Sequence, residues 1–141
     1  MDRLHEIKQP KEIIAMMMDK DHFSKWLGIE VDHIKKGYCS LSCIIKKEML
    51  NGFSIAHGGI CYALADSTLA FAANSKGHQC YSVETSISHL HKVYQNDILT
   101  STSKEISRED KTAVYHIDVH NQNKELVATM KGTVYISKIV W

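Results

Sequence analysis

A single proline, Pro10, among 141 residues leaves nearly the whole chain free to form regular hydrogen-bonded structure. Long apolar runs are missing too. The first of them, Ile13 to Met18, is less than two helical turns, far short of the ~20 residues a spanning helix needs. The opening stays charged through Glu6, Lys8, Lys11 and Glu12, so no apolar leader follows a basic start. These absences predict a soluble, cytoplasmic protein without a membrane partner. Excess charge of one sign is also lacking: 17 Lys+Arg against 16 Asp+Glu give a formal +1, and the charges are scattered. No basic patch exists to hold nucleic acid. The four cysteines, at 39, 43, 61 and 80, form no C-x-x-C pair and are expected to be reduced core residues. At this length, 44% of it hydrophobic, residues 1–141 suffice for one core and a single domain.

Two kinds of periodicity divide the chain. Residues 1–28 form an N-terminal helical segment, in which Ile13, Ile14, Met17, Met18, Phe23, Trp26 and Leu27 recur at helical spacing after Pro10 until Gly28 closes the helix. From Ile29 the alternation changes, and Lys35-Lys36-Gly37 reads as the turn of a hairpin ending near Ile45. Residues 58–75 are the least polar stretch and rich in helix formers; a helix apolar on all sides is a buried one. Strand patterns then occupy Tyr81 to Tyr94, Ile98 to Ser107, Thr112 to Asn121 and Leu126 to Ser137, separated by short polar turns that require antiparallel pairing. The predicted architecture is a segregated α+β domain: helix, hairpin, one central buried helix, then a β-meander whose curved sheet wraps that helix.

Within the apolar helix stands one carboxylate, Asp66. Removing a carboxylate from water without partners costs several kcal/mol, so such a residue is paired, protonated or part of a site. Nine residues earlier His57 opens the turn His57-Gly58-Gly59 at the start of the same helix. Helix N-termini carry unpaired N–H groups and partial positive charge, and glycines there let a substrate approach the backbone. Gly58 N–H and its neighbour on Gly59 could therefore bind a developing oxyanion. Each feature also has a plain reading: Asp66 bonded to nearby hydroxyls, the glycines as a tight turn, His57 as a satisfied turn residue, Asn51-Gly52 as a turn signal.

The run Asn51 to Asp66, N-G-F-S-I-A-H-G-G-I-C-Y-A-L-A-D, resembles the signature of hotdog-fold thioesterases. Its continuation S-T-L-A-F-A-A-N-S-K-G through Gly77 is similar to the phenylacetate-degradation, PaaI-like branch of the 4-hydroxybenzoyl-CoA thioesterase superfamily, with a weaker likeness to about Tyr135. The resemblance implies a hydrolase that cleaves an aryl- or acyl-CoA thioester to free acid and CoA. CoA is then part of the substrate, and no separate cofactor or metal is required. It implies a homo-oligomer, with a dimer as minimal active unit and a tetramer as the expected assembly, in which the helix start of one protomer faces the acid of the other. By position, Asp66 would be general base or nucleophile, Gly58 would donate to the oxyanion, and His57 and Asn51 would orient carbonyl or water. Gly59, Ser82, Lys111, His91 and Lys92 would contact substrate. His91-Lys92 stands where relatives carry Arg-Pro, and Lys20 approximately where close relatives place an Asn, which opens the CoA contact and acyl specificity to variation.

Other readings compete. His57 and Cys61 are four apart and His89 and His91 alternate on one strand, yet no further ligands fall at zinc-like spacing, so no metal is expected. A hotdog dehydratase would carry its Asp before its His, the reverse of the order here. A non-enzymatic acyl-CoA-binding module is compatible with the same fold, although the segment before Gly28 is too short and insufficiently basic for the DNA-binding helix-turn-helix such sensors usually add.

Overall fold

The structure, a computed structural model, describes residues 7–141. The first six residues of the predicted N-terminal segment lie outside the described residues. The remainder of that segment holds two helices, not one: α1 (Pro10–Lys20) and α2 (His22–Leu27). Proline occupies the start of α1, where its missing N–H costs nothing. Asp21 makes the break, because its carboxylate accepts from both the Ser24 N–H (2.9 Å) and the Ser24 hydroxyl (2.7 Å) and so caps α2. Gly28, left-handed at φ 73°, closes α2 as expected.

The hairpin is β1 (Glu30–Lys35) and β2 (Tyr38–Ile44), followed by a 3-10 turn at Lys47–Met49. The central helix α3 (Gly58–Asn74) comes next, then β3 (His78–His89), β4 (Ile98–Arg108), β5 (Thr112–His120) and β6 (Leu126–Val140). All six strands are antiparallel in one sheet, in the order β1-β2-β4-β5-β6-β3. The expected meander therefore holds only for β4 to β6. β3 pairs with β6 at the far edge, with Cys80 opposite Ile136 and His89 opposite Ala128. Tight turns at 109–111 and 121–125 force their flanking strands to be neighbours, whereas residues 90–97 are long enough to lead β3 away from β4. α3 crosses the concave face and delivers the chain to that edge. This is the hotdog arrangement of a sheet wrapped on one helix.

Leu64, Leu69 and Phe71 press α3 onto the sheet and are at most 1% exposed. Each such side chain contributes ~1.5–3 kcal/mol by leaving water. α3 comes close to the sheet over Gly132 of β6, where an added Cβ would stand 2.5 Å from Leu69 Cδ2. Polar contacts fix the helix against rotation. Ser67 Oγ meets Ser24 Oγ of α2 (2.9 Å), Tyr62 Oη meets Thr85 Oγ1 of β3 (2.6 Å), and Thr68 Oγ1 lies 2.8 Å from Ser101 Oγ of β4. At its end, Asn74 Oδ1 accepts from the Cys80 N–H and from Trp141 Nε1–H, both at 2.9 Å.

The expectation of a helix buried on all sides needs correction. A helix turns ~100° per residue, which places Ser67 and Tyr62 about 140° apart with Ala63, Ala70, Gly59 and Asp66 between them. Those six are also the residues between Gly59 and Ala70 that are not buried. α3 thus has an open strip of small residues and one carboxylate, walled by α2 and by β3. The outer edge of β3 has no strand partner among the described residues.

Candidate active site

The turn leading into α3 is built by backbone bonds. Asn51 N–H donates to the Ile55 carbonyl (2.8 Å), Ala56 N–H to Val93 (2.7 Å) and His57 N–H to Met49 (2.8 Å), while Ser54 takes a left-handed φ of 60°. Asn51 Oδ1 accepts the Phe53 N–H at 2.9 Å, the turn role that Asn-Gly advertises. Its Nδ2 keeps both protons for other partners.

His57 caps the helix. Its Nδ1 accepts the Gly59 N–H at 2.9 Å, which requires a bare Nδ1 and puts the proton of the neutral ring on Nε2. The Ile60 N–H is taken by the His57 carbonyl (2.9 Å). Of the two donors expected at the glycine turn, the Gly59 N–H is therefore spent on the cap. The Gly58 N–H makes no hydrogen bond among the described residues.

Beside that N–H opens a cleft of about 310 Å³ lined by Asn51, Gly58, Cys61, His89, His91 and Lys92. Four of the expected site residues, Asn51, Gly58, His91 and Lys92, thus come together although 51 and 92 are far apart in sequence. The Ala56–Val93 bond and the grip of Val127 O on the N–H groups of Leu90 (2.8 Å) and His91 (3.3 Å) bring the two segments side by side. The polar side chains of the cleft, Asn51, His89, His91 and Lys92, can all donate hydrogen bonds and include no carboxylate, which suits an electron-rich oxygen. A larger groove of about 780 Å³ lies between α1 and β1, lined by Ile14, Met18, Val31 and Ile34 among others. None of the expected site residues reaches it, so the chemistry is read from the smaller cleft.

Asp66 is half-buried on the open strip of α3, and burial pushes its carboxyl above the usual carboxylate range. Its carboxylate has no hydrogen-bond partner among the described residues, which sets aside the reading in which nearby hydroxyls satisfy it. Ser67 and Thr68 are committed elsewhere. Eight residues at 1.5 Å rise separate Asp66 from Gly58 by about 12 Å along the axis, too far for one thioester carbonyl to meet both in one protomer. Gly59 and His57 are exposed beside the turn. Ser82 is exposed on the edge strand opposite Val134, and Lys111 is exposed in the β4–β5 turn. The sheet register from Ala128, beside His89, to Tyr135, beside Thr112, puts that turn about 23 Å from the cleft at ~3.3 Å per residue.

Two further groups belong to this region. By its spacing His89 suggested only a metal ligand, yet its ring rests on Gly58; its alternation with His91 was the available signal. Tyr62, one turn before Asp66, looked like helix core and instead ties the strip to β3. Burial pushes the thiols of Cys39 and Cys43 to about 12, that of Cys61 to about 11, and that of Cys80 upward, which makes them poor nucleophiles. Among the described residues no helix is long and apolar enough to cross a membrane.

Comparison with known proteins agrees with this geometry. The family model described as the thioesterase superfamily matches residues 53–128, more than half of the chain. A putative esterase of Archaeoglobus fulgidus is 36% identical over 119 residues, which are 84% of this chain and 77% of that protein. The acyl-coenzyme A thioesterase PaaI of Escherichia coli is 32% identical over 116 residues, covering 82% of this chain and 83% of the relative. The solved structure of the E. coli PaaI protein superposes with a TM-score of 0.91 at 28% identity, over 93% of this chain and 95% of that one. The chain therefore belongs to the thioesterase superfamily, as a hotdog-fold thioesterase of PaaI type.

Proposed function

We propose that the chain hydrolyses the thioester of a small aryl- or acyl-CoA to the free acid and CoA, in a site completed by two subunits. The unclaimed Gly58 N–H, at the start of a helix and inside a cleft lined by donors, carries this reading, and the relative named an acyl-coenzyme A thioesterase agrees with it. The carbonyl oxygen of the thioester lies against Gly58 of one subunit. Asp66 of the partner subunit takes a proton from water, and the oxygen of that water bonds to the carbonyl carbon. Negative charge moves onto the carbonyl oxygen, which Gly58 N–H stabilises, and then returns as the C–S bond breaks and CoA leaves as thiolate. A carboxylate that holds its proton more firmly than a solvated one is the better base.

Two subunits are needed because about 12 Å separates the groups within one chain. The outer edge of β3, without a strand partner among the described residues and with Tyr81 and Val83 52% and 63% exposed, supplies the surface. A long edge strand with exposed Tyr81 and Val83 invites pairing with a second copy. Antiparallel pairing along it turns the start of β3 toward the end of its mate. Ser82 and the Lys111 turn then approach the cleft of the partner subunit, within reach of the substrate, while His91 and Lys92 of that cleft contact it directly. Asn51, through Nδ2, orients the carbonyl or the water, and His57, its ring fixed by the cap outside the cleft, orients the water.

The test is thiol release from a panel of aryl, short and long acyl-CoAs. The buried cysteines leave little background from the protein itself. Asp66→Asn is expected to lower kcat by ~10²–10⁴-fold on the best substrate, the size of a general-base contribution. Turnover unchanged in Asp66→Asn and Asp66→Ala would remove Asp66 from the mechanism.

A further inference from the structure

We propose that His89 donates the second hydrogen bond to the oxyanion, the place vacated when His57 claimed the Gly59 N–H; this rests on the thioesterase reading above. Tetrahedral intermediates of acyl transfer are commonly held by more than one preorganised donor. Here the start of α3 offers only the Gly58 N–H, since the N–H groups of Gly59 and Ile60 are bonded within the cap.

The His89 ring stands over Gly58. A Cβ built on that glycine would lie 3.3 Å from His89 Nε2, 3.4 Å from Cε1 and 3.9 Å from Cδ2, so the edge bearing Nε2 is the one turned to the helix start. A side chain at 58 would have to push the ring aside by a few tenths of an ångström, although the φ of this position does not itself demand glycine. Both residues line the same cleft. Neither ring nitrogen of His89 has a hydrogen-bond partner among the described residues, so Nε2 is open to a ligand and a carbonyl oxygen there selects the tautomer with its proton on Nε2. Its placement is set by the sheet: His89 is the last residue of β3, in register with Ala128, and the next two N–H groups share the Val127 carbonyl. His57 cannot take this role as well, because its ring is turned to Gly59 and does not line the cleft.

The chemistry is a hydrogen bond only. Nε2–H donates to the carbonyl oxygen as charge accumulates there, and the proton stays on the ring while Asp66 and water carry out the transfer. Catalysis gains because the donor is already aimed and bonded to nothing that must first be released.

His89→Ala is expected to lower kcat by ~10²–10³-fold with KM within about twofold, as loss of one oxyanion donor should. His89→Gln, which returns an N–H at similar reach, restores most of that loss, and His89→Phe, which returns volume without a donor, does not. Phenacyl-CoA labelled with ¹³C at its carbonyl is a thioether that cannot be hydrolysed and gives a second readout. Its carbonyl resonance moves downfield on binding to the unmodified protein and less far on binding to His89→Ala. Full activity in His89→Ala, or rescue by Phe equal to rescue by Gln, overturns the proposal while leaving the thioesterase reading intact. If the unmodified protein releases no thiol from any acyl-CoA and does not bind phenacyl-CoA, the thioesterase reading itself fails, and the role of His89 with it.

Discussion

The placement of Asp66 and Gly58 in opposite subunits can be tested by complementation between two inactive variants. One is Asp66→Asn. The other is Gly58→Pro, which deletes the proposed donor N–H. Gly58 is the first residue of α3, the position where proline is best tolerated in a helix, and its N–H bonds nothing among the described residues. His57 already has the extended conformation required before proline, φ −59° and ψ 136°. The new Cβ approaches His89, an exposed side chain that can yield. Both variants should therefore fold, with melting temperatures at or above that of the unmodified protein for Asp66→Asn and within a few degrees of it for Gly58→Pro. Loss of one oxyanion donor costs ~10²–10³-fold in kcat, or about 2.7–4 kcal/mol, and loss of the base costs at least as much. In a mixed dimer one site combines both lesions, while the other combines intact Asp66 from the Gly58→Pro chain with intact Gly58 from the Asp66→Asn chain. Two-fold symmetry gives two sites per dimer, so one restored site returns roughly half of the unmodified turnover from two nearly inactive parents. The assay is co-expression with two different tags, purification on both, and thiol trapping. Mixed dimers no more active than their parents would refute the two-subunit site, because groups acting within one chain cannot complement.

The charge on Asp66 should oppose stability. Burial raises its carboxyl pKa above the unfolded value, so the folded state binds the proton more tightly, and stability falls as pH rises through the window above the ordinary carboxylate range. Asp66→Asn is accordingly expected to melt higher than the unmodified protein at pH 7, with the gap closing as both are taken below that range; a gap that widened in acid would contradict the burial of the carboxylate. The same shift moves the acid limb of the kcat profile upward relative to that of a solvated aspartate. Gly132→Ala places a methyl 2.5 Å from Leu69 Cδ2 in a fully buried contact and should destabilise by ~1–3 kcal/mol in urea unfolding. Leu69→Ala in the same chain should recover part of that cost. Simple additivity in the double variant would show that the two do not meet.

Much of the fold was legible because local chemistry and tertiary packing agree in this chain. Pro10, Gly28 and the polar turns mark element ends by fixing or freeing single dihedrals, and the apolar run from Ile60 to Ala73 identifies the central helix. Asp66 stood out because a carboxylate has no cheap place in such a run. Strand order was not legible. A strand pattern records which residues face the core, and β3 meets that requirement equally well beside β4 or at the far edge beside β6, so only the path of α3 across the sheet decided it. Nor could composition distinguish the sheet-facing side of α3 from its open strip, since alanine and glycine look the same in both. That distinction depends on Tyr62 reaching Thr85 and Ser67 reaching Ser24, contacts between segments far apart in the chain. The sequence by itself determined that a carboxylate and a glycine turn share one helix. Tertiary structure decided that the Gly59 N–H is consumed by His57, that His89 lies over Gly58, and that His91 and Lys92 border Asn51. It did so because hydrogen bonds and clefts arise where chain segments converge, which residue order records only indirectly.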